Sequence, residues 1–120
     1  MKVLLVDDEK ELVSTIAERL SFRDIEADWV SSAEEALKIV ESNRYDLAVL
    51  DVKLPKMSGI VLQGKLEEKC PDMKYIFLTG HGSEDDFKAG AAEAGHEYYL
   101  VKPVNIDILI EKMKEVLGRK

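Results

Sequence analysis

The sequence of 120 residues holds a single cysteine, Cys70, so it cannot close an internal disulfide and nothing in it asks for an oxidising compartment. Neither of its two histidines, His81 and His96, stands in a recognisable pairing with that thiol, so Cys70 reads as a buried or bystander side chain rather than a nucleophile. Positive charge is scarce: 17 Lys and Arg stand against 24 Asp and Glu, for a formal net charge of −7. Such a surface repels nucleic-acid phosphates, which argues against direct contact with DNA or RNA. The opening stretch Met1-Lys2-Val3-Leu4-Leu5-Val6 meets Asp7-Asp8-Glu9 at once, too short an apolar segment for a signal peptide or a membrane span. The expected location is therefore the cytoplasm. No Pro-, Gly- or Ser-rich linker and no low-complexity segment interrupts the chain. With 46% hydrophobic and 34% charged residues, it reads as one globular domain over residues 1–120.

What is present is an alternation. Short apolar runs fall at residues 3–6, 27–30, 47–50, 75–78 and 98–101. Four carry little charge, as strands buried on both faces should, while the second contains Asp28 and reads as an edge strand. Segments with helical spacing follow each run. Leu12, Ile16 and Leu20 mark the first, and Ala33, Ala36, Leu37 and Val40 the second, with Ser32 and Glu35 spaced as a capping box. Leu62 and Leu66 mark the third, which Gly64 weakens. Phe87, Ala91 and Ala94 mark a fourth, containing Gly90. Ile106, Ile110, Met113 and Leu117 mark the last, with Asn105 as its N-cap. The order βαβαβαβαβα predicts an α/β fold with a parallel sheet and helices on both faces, because each crossover is long and right-handed. In such sheets the functional crevice lies beyond the carboxyl ends of the strands, near the point where strand order reverses.

The residues that end the apolar runs are therefore the ones to inspect. They are Asp7, Asp8 and Glu9 after the first, Asp51 after the third, Thr79 after the fourth and Lys102 after the fifth. Singly, each has a plain structural reading: a turn acid, a helix cap, a strand-end hydroxyl, a solvated lysine. Together they make a chemical set. Carboxylates gathered at one rim repel one another, and a divalent cation relieves that repulsion; an all-oxygen donor set suits Mg²⁺ rather than zinc. A carboxylate can also attack phosphorus, and phosphoryl transfer needs charge neutralisation of the kind that a cation and the Lys102 ammonium supply. The Thr79 hydroxyl can donate to a phosphoryl oxygen.

Four segments carry a resemblance: Val-Asp-Asp-Glu at 6–9, Leu-Asp-Val-Lys-Leu-Pro-Lys-Met-Ser-Gly at 50–59, Leu-Thr-Gly-His-Gly at 78–82 and Tyr-Leu-Val-Lys-Pro at 99–103. In order and spacing they resemble the signature blocks of bacterial two-component response-regulator receiver domains, the CheY-like family, over nearly the whole chain. The resemblance implies a flavodoxin-like (βα)5 sandwich with strand order 2-1-3-4-5. It implies Asp51 as phosphoacceptor, with Thr79 and Lys102 contacting the phosphoryl group. Asp8 would hold Mg²⁺ directly and Asp7 through water, with Asp51 and the backbone carbonyl of Lys53 completing the protein ligands. Tyr99 would be the switch aromatic that follows Thr79, and the Lys102–Pro103 bond would be cis. The chain would then be a signalling switch, catalysing only its own phosphorylation and dephosphorylation. A sensor histidine kinase or a phosphotransfer protein would load it, and an output partner or a second copy would read the surface around the fourth helix, fifth strand and fifth helix. His81, two residues past Thr79, reads first as a bystander at the site mouth; a separate hypothesis, not part of the resemblance, is that Lys53 and His81 tune phosphoryl lifetime by screening the attacking water.

Three rival readings fit less well. A haloacid-dehalogenase-type phosphatase needs a second Asp two residues after its nucleophile, where this chain has Lys53. A nucleotide- or flavin-binding module wants a first turn that presents amides to phosphate, whereas Asp7-Asp8-Glu9 repels it. A pseudo-receiver would not keep the complete set of rim residues.

Overall fold

The computed structural model describes residues 1–80 and 99–118. The predicted helix at Phe87, Ala91 and Ala94, with Gly90, lies outside the described residues, as do His81, His96 and Tyr98. The five strands are β1 (Lys2–Val6), β2 (Glu26–Val30), β3 (Leu47–Asp51), β4 (Lys74–Thr79) and β5 (Tyr99–Val101). They pair in parallel throughout, in the order β2-β1-β3-β4-β5. The helices described are α1 (Lys10–Ser21), α2 (Ala33–Ile39), α3 (Gly59–Lys69) and α4 (Ile106–Leu117). This is the predicted α/β sandwich, with strand order reversing between β1 and β3.

The period of two along each strand divides the core in two. Val3 and Leu5 of β1, Leu47 and Val49 of β3 and Ile76 and Leu78 of β4 point to one face, where Val13, Ile16 and Leu20 of α1 and Leu109, Ile110 and Met113 of α4 cover them. Leu4 and Val6, Ala48 and Leu50, and Tyr75 and Phe77 point to the other, under Ala33 and Ala36 of α2 and Leu62 and Leu66 of α3. The central strands are apolar on both faces for this reason. The stripe of α4 is centred on Leu109 and Val116, while Ile106 and Leu117, counted in the sequence-derived stripe, are only partly buried. The predicted edge strand β2 is the polar one, and its Asp28 is not idle: Oδ2 accepts a 2.6 Å hydrogen bond from the Tyr45 hydroxyl. That bond ties the sheet edge to the loop ahead of β3, and burial together with Asp28 holds the Tyr45 phenol above its ordinary range.

Helix starts follow the expected chemistry. Ser32 Oγ accepts from the Glu35 amide at 3.1 Å, and Asn105 Oδ1 accepts from the amides of Asp107 and Ile108. Glu35 does not reach back to the backbone as a full capping box would. Its carboxylate accepts instead from the hydroxyls of Ser31 and Ser32.

Gly59, the first residue of α3, fixes how closely that helix approaches the end of β3. Its amide donates to the Val52 carbonyl at 2.8 Å. A Cβ there would run into the Asp51 carbonyl oxygen and lie 2.9 Å from the carbonyl carbon, both of them backbone atoms that cannot step aside alone. Gly59→Ala should therefore push α3 off the strand end and lower stability by about 1–3 kcal/mol, the usual cost of overpacking a close contact. Urea unfolding checks this; an unchanged midpoint would mean that the helix start relocates freely.

Candidate functional site

The sheet register brings the run-ending residues to one rim. Val6 lies opposite Leu50, Asp51 opposite Leu78 and Thr79 opposite Val101. The ladder also continues past the strands. The Asp7 amide donates to the Val30 carbonyl at 3.2 Å, Val52 to Leu78 at 2.9 Å and Lys102 to Thr79 at 2.8 Å. Each site residue or its neighbour is thus held by a carbonyl at or next to the end of the adjoining strand, which gives this rim the rigidity of the sheet. Beyond β3 the chain turns tightly. The Met57 amide donates to the Pro55 carbonyl at 2.8 Å around Lys56, whose φ of 68° is the strained hand for a residue with a side chain. Such strain, on the order of 1–3 kcal/mol, gathers beside functional sites.

Two of the rim acids and the rim hydroxyl are buried. Asp7 is 1% exposed, Asp51 4% and Thr79 0%, while Asp8 faces solvent. Carboxylate oxygens of Asp7, Asp8 and Asp51 lie within 4.8 Å of one another. One oxygen of each buried acid is claimed by backbone: the Glu9 amide donates to Asp7 Oδ1 at 2.9 Å and the Lys53 amide to Asp51 Oδ1 at 3.2 Å. The other oxygens face one ammonium. Lys102 Nζ stands 2.9 Å from Asp7 Oδ2, 3.0 Å from Glu9 Oε1 and 3.3 Å from Asp51 Oδ2. The Asp7 contact is the shortest of the three and is an ion pair rather than a well-aligned hydrogen bond, so the buried Asp7 Oδ2 has its charge compensated by Lys102. Thr79 Oγ1 is buried without a hydrogen-bond partner.

The charges shift accordingly. Burial, reinforced by the Asp7 carboxylate, pushes Asp51 up from 3.8 to about 6, although the Lys102 ammonium and the Lys53 amide pull the other way. Burial opposes the Lys102 charge, but the carboxylates of Asp7, Glu9 and Asp51 outweigh it and hold the ammonium above the ordinary lysine range.

A hard divalent cation fits this donor set. The ligand atoms are all oxygen, they converge, and one of them, Asp7 Oδ2, is a buried anionic atom that shares the Lys102 ammonium with two other carboxylates. Of the residues singled out in the sequence, Asp7, Asp8, Asp51, Thr79 and Lys102 stand at this rim. Lys53 follows Asp51 and bonds it through its amide. Tyr99 stands opposite Phe77 on the far side of β4 and packs, half-buried, against the core under α2 and α3. The Lys102–Pro103 peptide bond is cis. Two residues carry roles that sequence reasoning left unassigned. Glu9 holds the Lys102 ammonium, and only the acidic run at 7–9 hinted at it. Gly59 gives the clearance behind Asp51, which no spacing rule reveals.

The raised Asp51 value has a consequence for stability. Between pH 3.8 and about 6 the folded protein keeps a proton on Asp51 that the unfolded chain has released. The metal-free protein therefore loses stability as pH rises through that window, and the loss is complete above it. Asp51→Asn removes the loss. It should stabilise metal-free protein at pH 7.5 by about 1–3 kcal/mol, with the gain vanishing below pH ~4. Urea unfolding in a chelator across that range checks the prediction; a gain independent of pH would contradict it.

Comparison with known proteins agrees with this geometry. The family model described as the response regulator receiver domain matches residues 3–114. Curated relatives include the response regulator MprA of Mycobacterium sp. (strain KMS), 30% identical over 99% of this chain and 51% of the relative. The MprA of Mycobacterium avium (strain 104) is 31% identical over 99% of this chain and 52% of the relative. The chain thus spans about half the length of the curated relatives it matches. Among solved structures, a CheY-like receiver domain protein from Methanospirillum hungatei JF-1 superposes with a TM-score of 0.86 at 35% identity, covering 97% of this chain and 92% of the other. A two-component response regulator from Clostridium difficile gives 0.88 at 29% identity, covering 99% and 97%. Among the described residues no helix is long and apolar enough to cross a membrane. On the family match, the sheet order and these neighbours, the chain belongs to the response regulator receiver domain family of two-component signalling.

Proposed function

We propose that residues 1–120 act as one receiver domain, a cytoplasmic phospho-switch that accepts a phosphoryl group on Asp51 in the presence of Mg²⁺. The observation that carries this reading is the setting of Asp51. It is a buried carboxylate with Asp7 and Asp8 beside it, an ammonium 3.3 Å from its Oδ2, and a buried hydroxyl without a partner on the neighbouring strand end. A buried hydroxyl without a partner is costly, and an incoming anion at the rim gives it one.

Asp7, Asp8, Asp51 and the backbone carbonyl of Lys53 would hold the Mg²⁺, which when bound neutralises charge on the carboxylates and on the phosphoryl oxygens. The donor is the phosphohistidine of a sensor histidine kinase or a phosphotransfer protein. An Asp51 carboxylate oxygen forms the new O–P bond as the N–P bond breaks, and the departing imidazole keeps that electron pair. Lys102 compensates charge on the phosphoryl group, and Thr79 donates its hydroxyl to a phosphoryl oxygen. The phosphoryl group of the product carries roughly −1.5 to −2 of charge, by analogy with other phosphorylated side chains, in place of the single charge of the carboxylate.

Phosphorylation then biases an equilibrium already present. Thr79 moves toward the phosphoryl group, Tyr99 turns inward beside it, and the surface expected around the sequence-predicted fourth helix, the fifth strand and the last helix changes. An output partner or a second copy of the chain reads that surface. The domain acts on no free substrate beyond its own loading and hydrolysis, and its acidic surface supports regulation through protein contacts rather than nucleic acid.

Incubation with acetyl phosphate followed by intact mass measurement tests this. The expected result is a Mg²⁺-dependent gain of one phosphoryl group in the wild type and none in Asp51→Asn. No gain, together with no response to beryllofluoride and Mg²⁺, would contradict the switch and favour a receiver fold kept as a scaffold.

A further inference from the structure

The Glu9–Lys102 contact has no part in that scheme, and the inference drawn from it rests on the reading of Asp51 as phosphoacceptor. An ammonium has three N–H donors, and Lys102 has three carboxylates around it: Asp7 at 2.9 Å, Glu9 at 3.0 Å and Asp51 at 3.3 Å. Its charge is shared among all three, with N–H bonds directed to Glu9 and Asp51, so a phosphoryl oxygen that reaches Lys102 competes with these carboxylates for it. Asp51 gives up charge when its oxygen is esterified, and Asp7 belongs to the cation-holding cluster. Glu9 lies outside that cluster and is the exposed member, its side chain 61% accessible against 14% for Lys102. It can swing to water at little cost.

Its own place in the chain leaves it available. Glu9 is the N-cap residue of α1, yet its side chain makes no capping bond there: its carbonyl accepts from the Val13 amide, and its amide donates to Asp7 Oδ1. The carboxylate is therefore not needed to terminate the helix and instead reaches across to a residue 93 positions away in sequence.

We propose that Glu9 is a positioning residue that holds the Lys102 ammonium in the resting state and competes with the phosphoryl group for it. Glu9 thereby sets how tightly the site retains an anion on Asp51. The competition is modest because the pair is partly solvated. Loss of an exposed ion pair of this kind corresponds to about a two- to fivefold change in an equilibrium constant.

The test uses the whole chain, with beryllofluoride as the phosphoryl analogue at saturating Mg²⁺, and compares wild type, Glu9→Gln and Glu9→Asp. Glu9→Asp keeps the negative charge at the start of α1 but shortens its reach toward Lys102. Two readouts are followed: the beryllofluoride concentration at half-saturation, and the NMR signal of the Lys102 side chain in metal-free protein. Both variants should bind beryllofluoride about two- to fivefold more tightly and shift the resting Lys102 signal. Tighter binding in Glu9→Gln alone would mean a general charge effect and overturn the contact. Wild-type binding with no gain in either variant, or an unmoved Lys102 signal, would overturn the role of Glu9 while leaving Asp51 as acceptor. Failure of the wild type to bind beryllofluoride would overturn the acceptor reading and the Glu9 proposal with it.

Discussion

One electrostatic problem organises this molecule: two buried carboxylates, Asp7 and Asp51, with Asp8 beside them, and one ammonium to balance them. Charges of one sign in a poorly solvated place stay ionised only if something opposite stands close. Lys102 supplies part of that compensation from the opposite side of the rim. The compensation is incomplete, and burial together with the Asp7 carboxylate raises the proton affinity of Asp51. A site in this condition is predisposed to take up cations and, once they are present, to accept an anion.

The fold makes the problem possible. Loops alone would let the acids swing apart into water. Here parallel strands deliver them side by side, and strand-to-loop hydrogen bonds from Asp7, Val52 and Lys102 pin the backbone just past the strand ends. Two apolar cores, one on each face of the sheet, prevent the strands from yielding. Gly59 brings the start of α3 hard against the Asp51 carbonyl, closing the site from behind. Rigidity and unmet charge are therefore not independent features, since the first sustains the second.

Much of this was legible in the residues themselves. The alternation of apolar runs with helical stripes implies the parallel sandwich, and the rule about strand ends gathers Asp7, Asp8, Asp51, Thr79 and Lys102 at one rim. Asp28 marked the edge strand correctly, but its bond to Tyr45 could not be read, because the two are joined only through the tertiary path. The same limit hid Glu9: its partner lies 93 residues away, and an acid after two others looks like one more solvated charge. The stripe of α4 was displaced toward Leu109 and Val116 because which face a helix buries depends on how it settles on the sheet, not on its own period. The strained turn at Lys56 was also silent in sequence, since lysine gives no hint of a positive φ. Gly59 was visible as part of a motif, while the reason for it, contact with the backbone of Asp51, needed geometry.

The proposal on which the rest turns is that these clustered carboxylates hold a divalent cation. The most direct measurement is the urea unfolding midpoint at pH 7.5 as a function of Mg²⁺ concentration, in wild type, Asp8→Asn and Asp51→Asn. The account predicts that Mg²⁺ raises the wild-type midpoint by ligand linkage and that the rise is sharply reduced in both variants, because each loses one of the clustered carboxylates. A wild-type midpoint indifferent to Mg²⁺, or a rise of equal size in all three proteins, would contradict it.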